Sequence, residues 1–208
     1  MEIIDVSRYQ KAIDWAKVAA SGKVDGVMLK TVSTNKAYGG IYIDPTFEKN
    51  YWGAREVGLP VGAYYYTYAQ DEARAKAELE KFKMAVRGKV FELPLAVDVE
   101  DNKLKPLSKK ALTDLVKMEA KEIEAWGFYA MVYTYTSYAN TELDMDALSA
   151  FDLWIADYRG TRPTRKHGMW QYTSTGSVEG IRANVDISHA YKDYPGIIRK
   201  AGLTGNWG

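Results

Sequence analysis

The sequence predicts an α/β fold: an irregular TIM-like barrel of five strand-helix units followed by three strands. Short apolar runs of strand length alternate with helical patterns over residues 3–151, which is the rhythm of βα units. After residue 151, three strand-like runs follow with little room for helices between them. No linker or low-complexity stretch divides the 208 residues, so 1–208 reads as a single domain.

The elements follow in order. Residues 3–6 read as the first strand and 14–20 as a helix. Residues 26–32 are a second strand, followed by a helix over 45–57. A third strand spans 59–68, and a charged, Ala-rich helix spans 72–86. The fourth strand, 93–100, is apolar until it ends in Asp98-Val99-Glu100. Ser108 caps a helix that runs to Trp126 and stops at Gly127. Residues 129–135 are the fifth strand, with a short helix expected over 145–151. The closing strands are 153–158, 169–173 and 183–187.

Composition excludes several function classes. Lys plus Arg is 28 against 27 Asp plus Glu, a net charge of +1. That is no electrostatic footprint for nucleic acid and no polybasic membrane anchor. Cys is absent, which removes disulfides, thiol nucleophiles and thiolate metal sites. The two histidines, His167 and His189, are too few for a His-based zinc site, so neither a metal nor another cofactor is expected. No run of about 18 apolar residues is present to span a membrane. The first residues lack the basic and apolar regions of a signal peptide, so the expectation is cytoplasmic synthesis. A monomer is expected.

The acidic residues carry the chemistry. In a barrel of βα units, functional groups gather at the C-terminal ends of the strands. Side chains alternate along a strand, so Ala96, Asp98 and Glu100 share one face while Leu95, Val97 and Val99 pack on the other. Two acids on one face of a partly buried cleft repel each other, and one of them keeps its proton to higher pH, as a general acid requires. The competing reading is a pair of solvated acids at a strand end, with Asp101 equally eligible. Asp5 ends the first strand and Asp186 the last. Those strands become neighbours when a barrel closes, so four carboxylates from three strands would face one opening. Taken singly, each Asp also fits a turn or helix cap.

Aromatic residues repeat the pattern. There are 16 Tyr and 6 Trp, and several recur two or four residues apart on single strands. Tyr64 pairs with Tyr66 in this way, Tyr133 with Tyr135, Trp154 with Tyr158, and Trp170 with Tyr172. An acidic floor with aromatic walls suits a neutral polysaccharide, and core packing accounts for about half of these rings.

With these motifs assembled, the chain resembles glycoside hydrolase family 25, the lysozymes common among phage endolysins and bacterial autolysins. The matches are Asp5-Val-Ser-Arg-Tyr-Gln10, Lys30-Thr31, Gly58-Leu-Pro-Val-Gly-Ala-Tyr64, Asp98-Val-Glu100, Tyr133-Thr134, Trp154-Ile-Ala-Asp-Tyr158, Trp170-Gln-Tyr172 and Val185-Asp186. The resemblance implies a peptidoglycan hydrolase working on the bacterial wall as one catalytic barrel, with release by a holin or another route if it is a phage endolysin. It implies Glu100 as general acid and Asp98 as the carboxylate supporting the anomeric centre or the substrate acetamido group. Asp5 and Asp186 would line the same site, and Lys30, Tyr64, Tyr66, Tyr133, Trp154, Tyr158 and Trp170 would contact substrate. Three positions depart from the family pattern: Thr31-Val32-Ser33 replaces a Thr/Ser-Glu-Gly run, Tyr65 a His, and Ser188 an Asn. None removes a carboxylate, and all bear on fine substrate contacts.

Two alternatives remain at this level. A chitinase also uses Asp-x-Glu at a strand end, but its motif extends upstream with further aspartates, where Leu95, Ala96 and Val97 stand here. A wall-binding module without catalysis is the other. The basic segment 159–167 reads as a solvated loop or a contact for anionic wall polymers.

Overall fold

A computed structural model describes residues 1–205, so the last three residues of the expected 1–208 unit lie outside the described residues. Eight strands close into a barrel in the order β1-β2-β4-β5-β6-β7-β8-β9, with β9 returning to β1. The strands are β1 (Glu2–Val6), β2 (Gly26–Asn35), β3 (Gly40–Ile43), β4 (Val61–Tyr66), β5 (Leu95–Asp98), β6 (Ala130–Tyr135), β7 (Asp152–Ala156), β8 (Met169–Gly176) and β9 (Val185–Ala190). Every ladder from β1 through β8 is parallel, whereas β9 runs antiparallel to both β8 and β1. Strand β3 lies outside the ring, folded back on the distal half of β2 as a hairpin.

The helices α1 (Trp15–Ala20), α2 (Phe47–Glu56), α3 (Glu72–Val86) and α4 (Lys109–Ala125) follow successive barrel strands. Asp14, Asp71 and Ser108 cap α1, α3 and α4 by accepting first-turn backbone N–H groups. The stop of α4 falls where the sequence places it: Gly127 takes φ +82°, which a side chain would strain.

Three expectations differ. The short helix is not at 145–151 but at α5 (Thr136–Thr141), directly after β6. Residues 145–150 form turns instead, because the Asp144 carboxylate accepts from the backbones of Asp146 and Ala147 and draws the chain into a cap. The α5 sequence Thr-Ser-Tyr-Ala-Asn-Thr has weak intrinsic helix preference and is held by burial of Tyr138 and Ala139. Strand β3 and a C-terminal helix, α6 (Tyr194–Ala201), complete the elements that the pattern did not reveal.

Alternation along the strands divides the core in two. Leu95, Val97, Val99, Val27, Leu29 and their equivalents pack outward against the helices. Ile3, Met28, Ala96, Met131, Trp154 and Met169 fill the barrel interior. Gly62 makes room for this filling, since a Cβ there would meet Met28 Sδ at 2.4 Å and the Pro94 carbonyl at 2.7 Å. One register step higher on the same inward face, apolar residues give way to Asp5, Lys30, Tyr64 and Asp98.

A buried carboxyl pair braces the loop that follows β4. Glu78 on α3 and Glu119 on α4 are both inaccessible to solvent, and Thr67 Oγ1 lies 2.9 Å from one and 3.1 Å from the other. Arg74 Nε and the Tyr68 backbone N–H donate to Glu78, which therefore holds the charge. Glu119 lacks a cation, and burial with the nearby charge of Glu78 pushes it up to about 8. Its proton goes to Thr67, whose own hydroxyl proton goes to Glu78; the Tyr65 hydroxyl adjoins the pair.

This network sets a pH dependence. A carboxyl near 8 in the folded state and about 4.3 unfolded retains a proton that the unfolded chain gives up. Stability from this group is complete below pH ~4 and falls towards pH ~8 by at most about 1.4 kcal/mol per unit. Glu119→Gln, whose amide can donate to Thr67, is expected to flatten most of that slope in thermal unfolding at pH 5, 7 and 9. Parallel slopes for the two proteins would refute the arrangement.

Candidate active site

The C-terminal strand ends open onto a cleft of about 370 Å³ lined by residues from all eight barrel strands or the turns that follow them. Asp5, Lys30, Tyr64, Tyr66, Asp98, Glu100, Tyr133, Trp154, Tyr158 and Asp186 line it together. It continues into a second hollow of about 570 Å³ that shares Glu100, Tyr133 and Tyr158 and reaches Tyr135, Asn140 and Arg159. The two hollows share a wall and run together as one extended cleft.

Strand register explains the carboxylates. Asp5 on β1 pairs directly with Asp186 on antiparallel β9. Asp98, the last residue of β5, sits between Tyr66 on β4 and Tyr133 on β6. Glu100 lies beyond the ladder but keeps the same inward parity, because the Val99 N–H still donates to the Tyr133 carbonyl. Asp98 is buried and Glu100 half-exposed, so Glu100 is the one that meets an incoming molecule. Among the described residues, Asp98 Oδ1 has no hydrogen-bond partner. Neighbouring Asp101 serves the turn, accepting from the Lys103 N–H at 2.8 Å and the Tyr66 hydroxyl at 3.1 Å.

All four carboxyls in the cleft are pushed up, chiefly by burial. Charge on Glu100 raises Asp98 further, and charge on Asp186 raises Asp5. Asp5 shares a hydrogen bond with Asp186 that favours a proton on Asp5 and charge on Asp186. Lys30 opposes the upward shift in all four. Its ammonium also lies over the rings of Tyr66 and Tyr64, at 4.9 and 5.8 Å.

The aromatic residues divide by role. Trp154 is fully buried and meets Tyr133 and Tyr64 edge-on at 4.6 and 5.9 Å, so it supports the cleft floor from beneath. Its indole N–H is fixed by Ser188 Oγ at 2.9 Å. Trp170 does not line the cleft: β8 turns Met169 and Gln171 inward, which puts Trp170 and Tyr172 on the outer face. There Trp170 donates to the Asp157 carbonyl and Tyr172 to Glu2.

Gln171 is the cleft residue that the sequence reading passed over. Its Oε1 accepts from the hydroxyls of Tyr133 and Tyr158 at 2.9 and 2.5 Å, and its Nε2 donates to Asp5 Oδ2 at 2.8 Å. Parity with Met169 was the available signal, masked by the two aromatics that flank Gln171. Ser7, Tyr9, Gln10, Ser174 and Asn184 also join the lining. The turn after β1 positions the first three: Ser7 and Gln10 form a reciprocal capping box, and Gln10 Nε2 reaches the Asn184 carbonyl at 2.9 Å.

The basic segment 159–167 is tied down. Arg159 pairs with Asp157 at 2.5 Å, Arg162 stacks 3.7 Å from the Tyr191 ring centroid, and Arg165 donates to Asn140. Among the described residues, no group of three or more His, Asp or Glu is placed to hold a metal ion.

A barrel opening with four carboxyls of raised pKa and a floor of tyrosines is a constellation for acid-base chemistry on a sugar. The family described as Glycosyl hydrolases family 25 matches residues 4–181. The chain belongs to this family. It is therefore a glycoside hydrolase, and the chitinase alternative falls away. The family 25 match stops short of β9, so Asp186 enters the site through the strand pairing. The autolytic lysozyme of Clostridium acetobutylicum is 30% identical over 90% of this chain, which spans 55% of that protein. Escherichia coli K12 YegX, a protein itself uncharacterised, is 32% identical over 89% of this chain and 67% of its own length. In structure, the chain matches the bacterial lysozyme of Streptomyces coelicolor with a TM-score of 0.82, covering 100% of this chain and 98% of the other at 24% identity, a likeness of fold.

Lys30 yields a directional expectation. Were Glu100 the proton donor, it would have to be protonated to act, and activity would fall as pH rises through its raised pKa. Lys30 holds that pKa down. Lys30→Met is therefore expected to move the alkaline limb of the kcat/KM profile to higher pH, whatever it does to the maximum. A limb that stays in place or moves lower would show that Lys30 does not set the charge balance.

Proposed function

We propose that this glycoside hydrolase is a cell-wall muramidase, cleaving the β-1,4 bond from N-acetylmuramic acid to N-acetylglucosamine in bacterial peptidoglycan. Asp98 carries the reading: it is a buried carboxylate with an unpartnered oxygen beside partly exposed Glu100, in an extended cleft. An unpaired buried acceptor is costly and calls for a donor from the ligand. The acetamido N–H of the substrate supplies one. An extended cleft suits a polymer chain, and the autolytic lysozyme among its relatives agrees with a wall substrate. Residues 1–208 would act as one catalytic unit at the wall, without a metal.

In this mechanism the Asp98–Glu100 pair holds one proton. On Glu100 the proton faces the leaving oxygen, and Asp98 then carries the charge beside Lys30. Glu100 protonates the glycosidic oxygen while the acetamido carbonyl oxygen attacks the anomeric carbon, its N–H held by Asp98. The leaving chain departs with the proton. Glu100, now a base, takes a proton from water, which opens the cyclic intermediate with net retention. Asp5, joined through Gln171 to Tyr133 and Tyr158, and its ladder partner Asp186 hold the far side of the floor in register.

Glu100→Gln is nearly isosteric but has no proton to deliver. It is expected to lower turnover of purified peptidoglycan by at least about 10²–10⁴-fold with unchanged thermal unfolding. If a tenth of the activity survived, the acid would have to be sought elsewhere, first at Asp98.

Soluble fragments should carry N-acetylmuramic acid at the new reducing end, in the β-anomer when first formed by NMR. Peptidoglycan lacking the N-acetyl group on muramic acid should bind but resist cleavage. Reducing-end N-acetylglucosamine would exclude the bond, an α-anomer would exclude retention, and normal cleavage of the deacetylated polymer would exclude acetamido attack.

A further inference from the structure

The rim of the cleft beyond Tyr9 carries a cation, Arg8, that no carboxylate neutralises among the described residues. The guanidinium of Arg8 lies 5.0 Å from the ring centroids of Tyr9 and Tyr38 and 5.5 Å from that of Tyr42. Tyr38 and Tyr42 stack face to face, 4.3 Å apart and 17° from parallel. The hairpin of β2 and β3 supplies these two rings and the turn after β1 supplies the others. Arg55, Arg74 and Arg159 each pair with a carboxylate. Among the described residues, no carboxylate pairs with the Arg8 side chain; Asp44 takes only its backbone N–H. Tyr9 and Tyr38 stay 64% and 47% exposed, so this is no buried brace.

We infer that Arg8 and its tyrosines form a subsite for a carboxylate of the stem peptide on the glycan strand. The inference rests on the muramidase reading above. One terminal nitrogen of Arg8 donates to the Tyr9 hydroxyl at 3.2 Å, and a guanidinium held this way has further N–H groups to offer a planar anion, with pre-positioning lowering the ordering cost of binding. The groove is bipolar: the floor is acidic and takes uncharged sugar rings, while this rim is cationic. In peptidoglycan the sugar rings are uncharged, and the stem peptides attached to alternate rings carry carboxylates. Tyr9 belongs to the cleft wall, so a strand seated over Glu100 passes within reach of Arg8. The subsite thus selects glycan that still carries peptide.

The test compares soluble uncrosslinked glycan chains bearing charged stem peptides with the same chains whose peptide carboxylates have been converted to amides with a carbodiimide and ammonia. The wild-type enzyme is expected to favour the charged chains by about tenfold in kcat/KM, the scale of one charge-assisted hydrogen bond at a partly exposed site. Arg8→Gln should abolish that preference through KM, lowering kcat/KM for the charged chains to that for the amidated chains. Tyr38→Ala, at an exposed hairpin position, should reduce the preference in the same direction. Equal rates on both substrates for the wild-type enzyme, or equal losses on both in Arg8→Gln, would overturn the subsite. Cleavage of neither substrate by the wild-type enzyme would instead defeat the muramidase reading.

Discussion

Like charges resist being collected, and this barrel collects four carboxyls at one opening with a single lysine among them. Burial raises every one of the four, and Lys30 alone lowers the whole set. The arrangement holds because the acids work as two pairs that need not be fully ionised. Asp5 and Asp186 are joined by a hydrogen bond, while Asp98 and Glu100 divide their surroundings between a dry interior and an open groove. A carboxyl that keeps its proton to higher pH is thus first a product of burial, with the neighbouring charges adding to it.

The rest of the fold serves that crowding. Below the acids, Met28, Ala96, Met131 and Met169 keep the interior apolar. Beside them, Tyr133 and Tyr158 converge on Gln171, which hands one amide hydrogen to Asp5. The antiparallel return of β9 is the topological device that brings Asp186 opposite Asp5. A fully parallel ring would need another crossover helix to put an acid there.

Much of this could be read from the residues. The parity of Asp98 and Glu100 follows from simple alternation in an apolar strand, and their lengthwise position from the rule that strand ends carry function. Asp5 and Asp186 were legible as a set once barrel closure was assumed. What escaped notice was decided by tertiary contact. Trp170 and Gln171 are adjacent, and only the neighbours of β8 determine which one turns inward. The α5 segment is polar and aromatic, a poor helix by propensity, yet burial of Tyr138 holds it. The β3 hairpin lay in a stretch without clear periodicity, and the Arg8 cluster exists only when that hairpin folds back beside the turn after β1.

The partnership of β1 with β9 also fixes an order of events during synthesis. The bond from Gln171 to Asp5 spans 166 positions, and Asp186 lies farther still along the chain. Closing so long a loop has an entropic cost that only the completed ladder offsets. A nascent chain can exhibit Asp98 and Glu100 while its first strand still has an open edge. The floor of the cleft is consequently among the last features a growing polypeptide assembles, completed only with the final strand of the ring.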